Sequence, residues 1–104
     1  MEVSTITVIL EVRSWISAAL GRPESGRYLV HKKIQAGASL ANLLTSLAEA
    51  YPEFGQQVYN PNGGHLSEQI IVTVNRNLVQ ESEFVQTKLK NNDEIALIPI
   101  LVGG

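Results

Sequence analysis

Apolar and polar residues alternate along this chain in two rhythms, and the rhythms mark out its elements. After Gly37-Ala38, apolar residues fall at Leu40, Leu43, Leu44, Leu47, Ala48 and Tyr51, the spacing of one buried helical face. Asn42, Thr45, Ser46 and Glu49 fill the opposite face, Ser39 is placed to cap the helix with its hydroxyl, and Pro52 stops it. From Thr5 to Val12 the period is two, with Ile6, Val8, Leu10 and Val12 on one face and Thr5, Thr7 and Glu11 on the other. Arg27 to Ile34 predicts a second strand, after a loop containing Gly21, Pro23 and Gly26. Pro61-Asn62-Gly63-Gly64 marks another loop, and Ile70 to Val74 is rich in β-branched residues. A tight turn at Asn75-Arg76-Asn77 leads into Leu78-Val79, and a turn at Asn91-Asn92-Asp93 opens a last strand, Glu94 to Leu101.

The predicted order is β-β-α-β-(short β)-β. Two hairpins around one helix make a two-layer α+β fold, in which that main helix packs across one sheet face. The first and last strands are each apolar enough to be central, and a mixed sheet that sets them side by side is the β-grasp, ubiquitin-like arrangement. The last strand is apolar on both faces: Ile95, Leu97, Pro99 and Leu101 on one, Ala96, Ile98, Ile100 and Val102 on the other. A single covering helix needs only one apolar face. Two readings of the second face stay open. Loops from the segment 54–69 cover it, or part of it is a docking surface for a partner protein, with Ile98, Pro99, Ile100 and Leu101 as the docking residues.

At 104 residues, 44% of them hydrophobic, the chain is long enough for one domain with its own core. The expected division is a body over 1–101 and a flexible Gly-Gly tail over 102–104. Zero Cys excludes a disulfide framework, a thiolate metal site and a cysteine nucleophile. Eight basic against ten acidic residues give no basic footprint for nucleic acid or an anionic membrane. The first residues lack a basic segment, and the apolar run Ile6 to Leu10 is cut short by Glu11 and Arg13. The expectation is a soluble, cytoplasmic domain without signal peptide or membrane span.

Catalytic constellations are scarce. His31 and His65 have no acidic residue at a metal-ligand spacing and read as solvated surface residues, so no metal is expected. Glu81 and Glu83, two apart in a polar loop, read as solvated charge, and Trp15 as a core or rim residue. No phosphate-cradling loop occurs, so no bound cofactor and no stand-alone enzyme are expected. The end Val102-Gly103-Gly104 is different: two glycines there by chance have odds of about 0.5%. A carboxylate becomes a good electrophile once adenylated, which requires threading it into another protein's nucleotide site. Residues without Cβ are thin enough for such a channel, and Leu101 to Gly104 extended reach roughly 13 Å.

Several stretches carry a resemblance. Val72-Thr73-Val74-Asn75-Arg76-Asn77-Leu78-Val79, then Thr87 through Leu89 and Asn91-Asn92-Asp93-Glu94-Ile95 to Pro99, ending Val102-Gly103-Gly104, resemble the C-terminal half of ThiS/MoaD-type sulfur carriers. Those β-grasp proteins carry a "VN" hairpin, a "GDEV" turn, a late Pro and a terminal "GG". Glu11-Val12-Arg13 through Gly21, and Gly37-Ala38-Ser39-Leu40 through Leu47 and Pro52, are similar to the N-terminal half. Asn91-Asn92-Asp93 stands where "DGD" is usual, and Leu101 where a small or polar residue is common. The loops Ser17–Arg27 and Gly55–Glu68 are longer than in compact carriers and resemble the longer members, which include carriers for cysteine synthesis and archaeal-type protein modifiers.

The resemblance implies a function. An E1-like adenylating enzyme would use ATP to adenylate Gly104, and sulfur from a persulfide donor would displace AMP to leave a C-terminal thiocarboxylate. In the molybdenum-cofactor branch the tail enters a large synthase subunit, or another sulfur acceptor enzyme, and donates that sulfur; molybdopterin synthesis is the branch expected, with this chain as the non-catalytic small subunit. Gly104 would carry the sulfur, Gly103 would be its flexible neighbour, and Val102 and Leu101 would anchor the root of the tail. Without Cys the chain has no side chain on which to carry a persulfide, so the terminal carboxylate is the natural carrier. Two alternatives remain: a ubiquitin-like modifier conjugated through Gly104, and a β-grasp binding module without tail chemistry.

Overall fold

A computed structural model describes residues 4–23 and 26–100. A five-stranded mixed sheet carries the fold, in the order β2-β1-β7-β5-β6. Its strands are β1 (Thr5–Arg13), β2 (Arg27–Gln35), β5 (Ile70–Val74), β6 (Asn77–Val79) and β7 (Glu94–Pro99). The main helix α2 (Leu40–Ala50) lies across one face, accompanied by the short helices α1 (Trp15–Ala19) and α3 (Pro52–Gln57) and a separate small hairpin, β3 (Tyr59–Asn60) with β4 (His65–Leu66). First and last strands are neighbours, as the pattern predicts: β1 runs parallel to β7 with Leu10 opposite Ile95, while every other pairing in the sheet is antiparallel. This is the β-grasp arrangement.

Burial follows the predicted faces. Val8, Leu10 and Val12 of β1 and Ile95 and Leu97 of β7 are buried against Leu40, Leu43, Leu44, Leu47 and Ala48 of α2. Each fully buried Leu or Ile contributes roughly 1.5–3 kcal/mol, so this strip is the main source of stability. The helix starts as expected. Ser39 Oγ accepts from Asn42 N at 3.1 Å, and Asn42 Oδ1 accepts in return from Ser39 N at 2.9 Å, a reciprocal capping box.

Two helices escape the pattern. Pro52 ends α2 and also begins α3, where its missing N–H costs nothing; Tyr51 between them is extended, as a residue before proline prefers. Helix α3 carries Phe54 into the core, and Val58 and Tyr59 follow it. The α2 and α3 backbones meet so closely that a Cβ on Gly55 would lie 3.3 Å from the Ala48 carbonyl oxygen. Helix α1 has five residues, too few for a period, yet it buries Ile16 and Ala19 and leaves Trp15 at the rim. Much of the segment 54–69 therefore lies in the helical layer and does not cover the second face of the sheet, which corrects that expectation. No helix among the described residues is long and apolar enough to cross a membrane.

Candidate functional site

β7, the strand that leads to the chain's end, is held on both sides. Its even-numbered residues face β5, shown by Asn75 N donating to Glu94 O at 2.8 Å and Ile100 N to Gln69 O at 2.7 Å. Its odd-numbered residues therefore face β1. The pairing with β1 ends at Glu11↔Ala96: the next N–H aimed at β1 would be that of residue 99, toward Arg13 O, and proline has none, so Pro99 closes the ladder on that side. The chain is thus fixed in extended form through Ile100. Leu101, Val102, Gly103 and Gly104 lie outside the described residues.

The start of β7 is fixed more tightly still. Asp93 O accepts from Ile9 N at 2.8 Å, and Asn92 N donates to Thr7 O at 2.7 Å, which ties the turn to β1. Asn91 Oδ1 accepts from Thr7 N at 2.9 Å. On the other side, Asn75 Nδ2 donates to Asp93 Oδ1 and Asn75 Oδ1 accepts from Glu94 N, each at 2.9 Å. Asn75 and Arg76, the centre of the predicted tight turn, both have positive φ, 51° and 70°, the geometry of a two-residue type I′ hairpin. Asn92, in the place where the family pattern has glycine, also has positive φ, 70°.

The sheet face turned away from α2 is apolar at its centre and charged at its rim. Ile9, Ile71, Ala96 and Ile98 are half-buried there, Leu29 and Leu78 are 52% and 61% exposed, and Ile100 is 42% exposed. A shallow depression of about 380 Å³ lies among Ile9, Leu29, Thr73, Ala96 and Ile98, edged by Glu11, Arg27 and Arg76. Glu11 pairs with Arg13 and, at 3.6 Å, with Arg27. Of the residues singled out for docking, Ile98 and Ile100 belong to this face, whereas Pro99 belongs to the inner one, alternating with them along β7.

The remaining candidates take structural places. His31 is exposed on β2. His65 stands in β4, not in a loop, with Nδ1 3.6 Å from Glu81 Oε2. Glu81 is more than solvated charge, because its Oε1 accepts from Leu66 N at 2.6 Å and so fastens the small hairpin; Glu83 Oε1 accepts from Gln80 N at 3.1 Å. Among the described residues no group of three or more His, Cys, Asp or Glu side chains is arranged to hold a metal.

Comparison with known proteins agrees with this architecture. A search of curated proteins finds no significant match. The chain is similar in structure to SAMP1 from Haloferax volcanii, with a TM-score of 0.72, 20% identity, and 94% of this chain and 99% of that one covered. It is similar to a protein from Pyrococcus furiosus described as molybdopterin converting factor, subunit 1, at TM-score 0.66 and 14% identity, covering 92% of this chain and 99% of that one. It is similar also to the CysO/BexX complex structure from Amycolatopsis orientalis, at TM-score 0.60 and 17% identity, covering 91% of this chain and 99% of that one. The sequence itself matches a family pattern over residues 26–104, a span that takes in the Asn75 hairpin, the Asp93 turn, the central last strand and the Gly-Gly pair. The chain belongs to the ThiS family.

Proposed function

We propose that this protein is a sulfur carrier whose Gly104 carboxylate is activated by an E1-like adenylating enzyme and converted to a thiocarboxylate. The carrying observation is the combination of a family match that extends through Gly104 with a last strand held between β1 and β5 at its start and against β5 through Pro99. A paired strand gives the residues beyond Ile100 a fixed point of departure, and the closing Gly103-Gly104 pair suits entry into a narrow cleft.

The chemistry runs in balanced steps. The carboxylate oxygen attacks the α-phosphorus of ATP, pyrophosphate leaves, and an acyl adenylate forms. The terminal sulfur of a persulfide attacks the acyl carbon and AMP leaves. A thiol then cleaves the resulting S–S bond, freeing the thiocarboxylate and forming a disulfide. The carrier's part is to deliver Gly104. We assign docking of the activating enzyme, and of the acceptor that consumes the sulfur, to the outer sheet face around Ile98 and Ile100 together with the tail root at Leu101. Molybdopterin synthesis is the favoured acceptor branch, supported by the fold shared with the Pyrococcus furiosus converting-factor subunit.

A modifier role is the second reading, supported by the near-complete coverage of a small archaeal modifier protein. The two share activation and differ in the fate of Gly104. Intact-mass analysis of the protein from its own cells, with the C-terminal peptide mapped, separates them. A gain equal to exchanging one oxygen for sulfur at Gly104 supports the carrier, and an amide bond from Gly104 to a lysine of another protein supports the modifier. Finding neither under ample sulfur supply rejects both.

A further inference from the structure

The sheet has one long open edge, and its chemistry is lopsided. In the β1–β2 ladder, Ala36 N donates to Ser4 O at 2.9 Å, which makes the even-numbered residues of β2 the ones bonded to β1. The odd-numbered residues of β1 face the other way, as Ile9 N donating to Asp93 O confirms. The N–H and C=O groups of Leu29, His31 and Lys33 therefore project from the free edge of β2, which has no strand partner among the described residues. Nine residues of β2 offer roughly 30 Å of such edge.

Beneath that edge a groove runs between β2 and α2. One cavity of about 470 Å³ is lined by Lys32, Ile34, Gly37, Asn42, Leu43 and Ser46. A smaller one, about 40 Å³, continues it past Lys32 to Val30, Leu47, Tyr51 and Arg22. The strand itself, Arg27 to Gln35, holds two lysines, an arginine and a histidine and no acidic residue, in a chain whose net charge is -2. No acidic side chain lines either cavity.

We propose that the open edge of β2 is a strand-addition site for an extended, acidic segment of a partner protein. Added there, such a segment completes the ladder at Leu29, His31 and Lys33, and its alternate side chains fall into the groove beside Lys32 and Ile34 or onto the outer face beside Lys33. Charge selects the occupant. A second copy pairing β2 with β2 would bring the cations of both strands together, which disfavours the dimer. An alternation of apolar and acidic residues satisfies the groove and the edge together. The site does not depend on the tail chemistry.

The test uses the full 104-residue chain and a synthetic nine-residue peptide with blocked ends, alternating Val or Ile with Asp or Glu. Amide NMR should show Leu29, His31 and Lys33 shifting and gaining protection from hydrogen exchange, with affinity falling as salt rises. Joint Lys32→Glu and Lys33→Glu substitution should weaken binding about tenfold while the spectrum stays dispersed. If that pair disturbs the fold, Lys33→Glu alone, at an exposed side chain, should weaken binding by about threefold. The proposal fails if the peptide perturbs only other residues or none. It fails equally if a version with Lys in place of the acids binds as well, or if β2 amides shift with protein concentration alone, which would mark self-pairing.

Discussion

The side chain of Asn75 holds the start of the last strand by reaching across to Asp93, with Nδ2 2.9 Å from Asp93 Oδ1, while its own Oδ1 takes the N–H of Glu94. One residue of a hairpin turn thereby sets the register of β7, whose first residue, Glu94, lies nineteen positions later. Register matters because a slip of one residue would exchange buried Ile95 and Leu97 with Ala96 and Ile98 and move the departure point of the tail.

Replacing Asn75 separates two contributions. Asn75→Gly keeps the positive φ and loses both side-chain hydrogen bonds, which should lower stability by about 1–2 kcal/mol. Asn75→Ala loses the same bonds and also the short polar side chain that lets Asn tolerate φ 51°, for a total of about 2–3 kcal/mol. Urea unfolding of the two variants checks this. Equal stabilities would mean the backbone carries no strain there, and a wild-type value for both would mean the Asn75–Asp93–Glu94 link does not hold β7.

What was legible in the sequence is what has a period. The faces of β1 and α2, the Ser39 cap and both tight turns could be read because side-chain alternation and turn chemistry are local. Helix α1, with five residues, and the two-residue strands β3 and β4 are too short to show a period. Helix α3 is masked by Pro52, which stops α2 and also opens α3. Asn75 and Glu81 act over distances of 18 and 15 residues, which no local pattern reveals. The proposed Gly103-Gly104 site lies outside the described residues, and its reading rests on chemistry alone.

The hidden helix yields a second prediction. Phe54 is fully buried, so Phe54→Ala should cost about 3–5 kcal/mol, as large as truncating a residue of α2. A loop segment lying loosely over the core would lose far less. Thermal unfolding followed by circular dichroism decides, and a loss under about 1 kcal/mol would show that α3 is no part of the core.

The capping box yields a third. Ser39 is nearly buried, and its hydroxyl meets the Asn42 amide at the first turn of α2. Ser39→Ala leaves that amide without its acceptor and should cost about 1 kcal/mol; Ser39→Asp, which restores an acceptor, should recover most of it. Identical losses for both substitutions would place the effect in burial rather than capping.

The last prediction concerns Gly103 and Gly104, and it turns on separating the fold from the chemistry. Among the described residues the last core members are Ile95 and Leu97 and the last sheet hydrogen bond runs from Ile100 N to Gln69 O, and removing residues 103 and 104 deletes none of these contacts. Unfolding free energy should stay within about 0.5 kcal/mol of the intact chain. ATP–pyrophosphate exchange catalysed by the activating enzyme should nevertheless vanish, because no carboxylate reaches its nucleotide. A complementary variant, Leu101→Asp, should keep cooperative unfolding and weaken binding to the enzyme by placing an unpaired charge at an apolar contact. A deletion variant that unfolds would show that the tail supports the fold, and one that folds and still supports exchange would overturn the carrier and modifier readings together, leaving the sheet face as the functional surface.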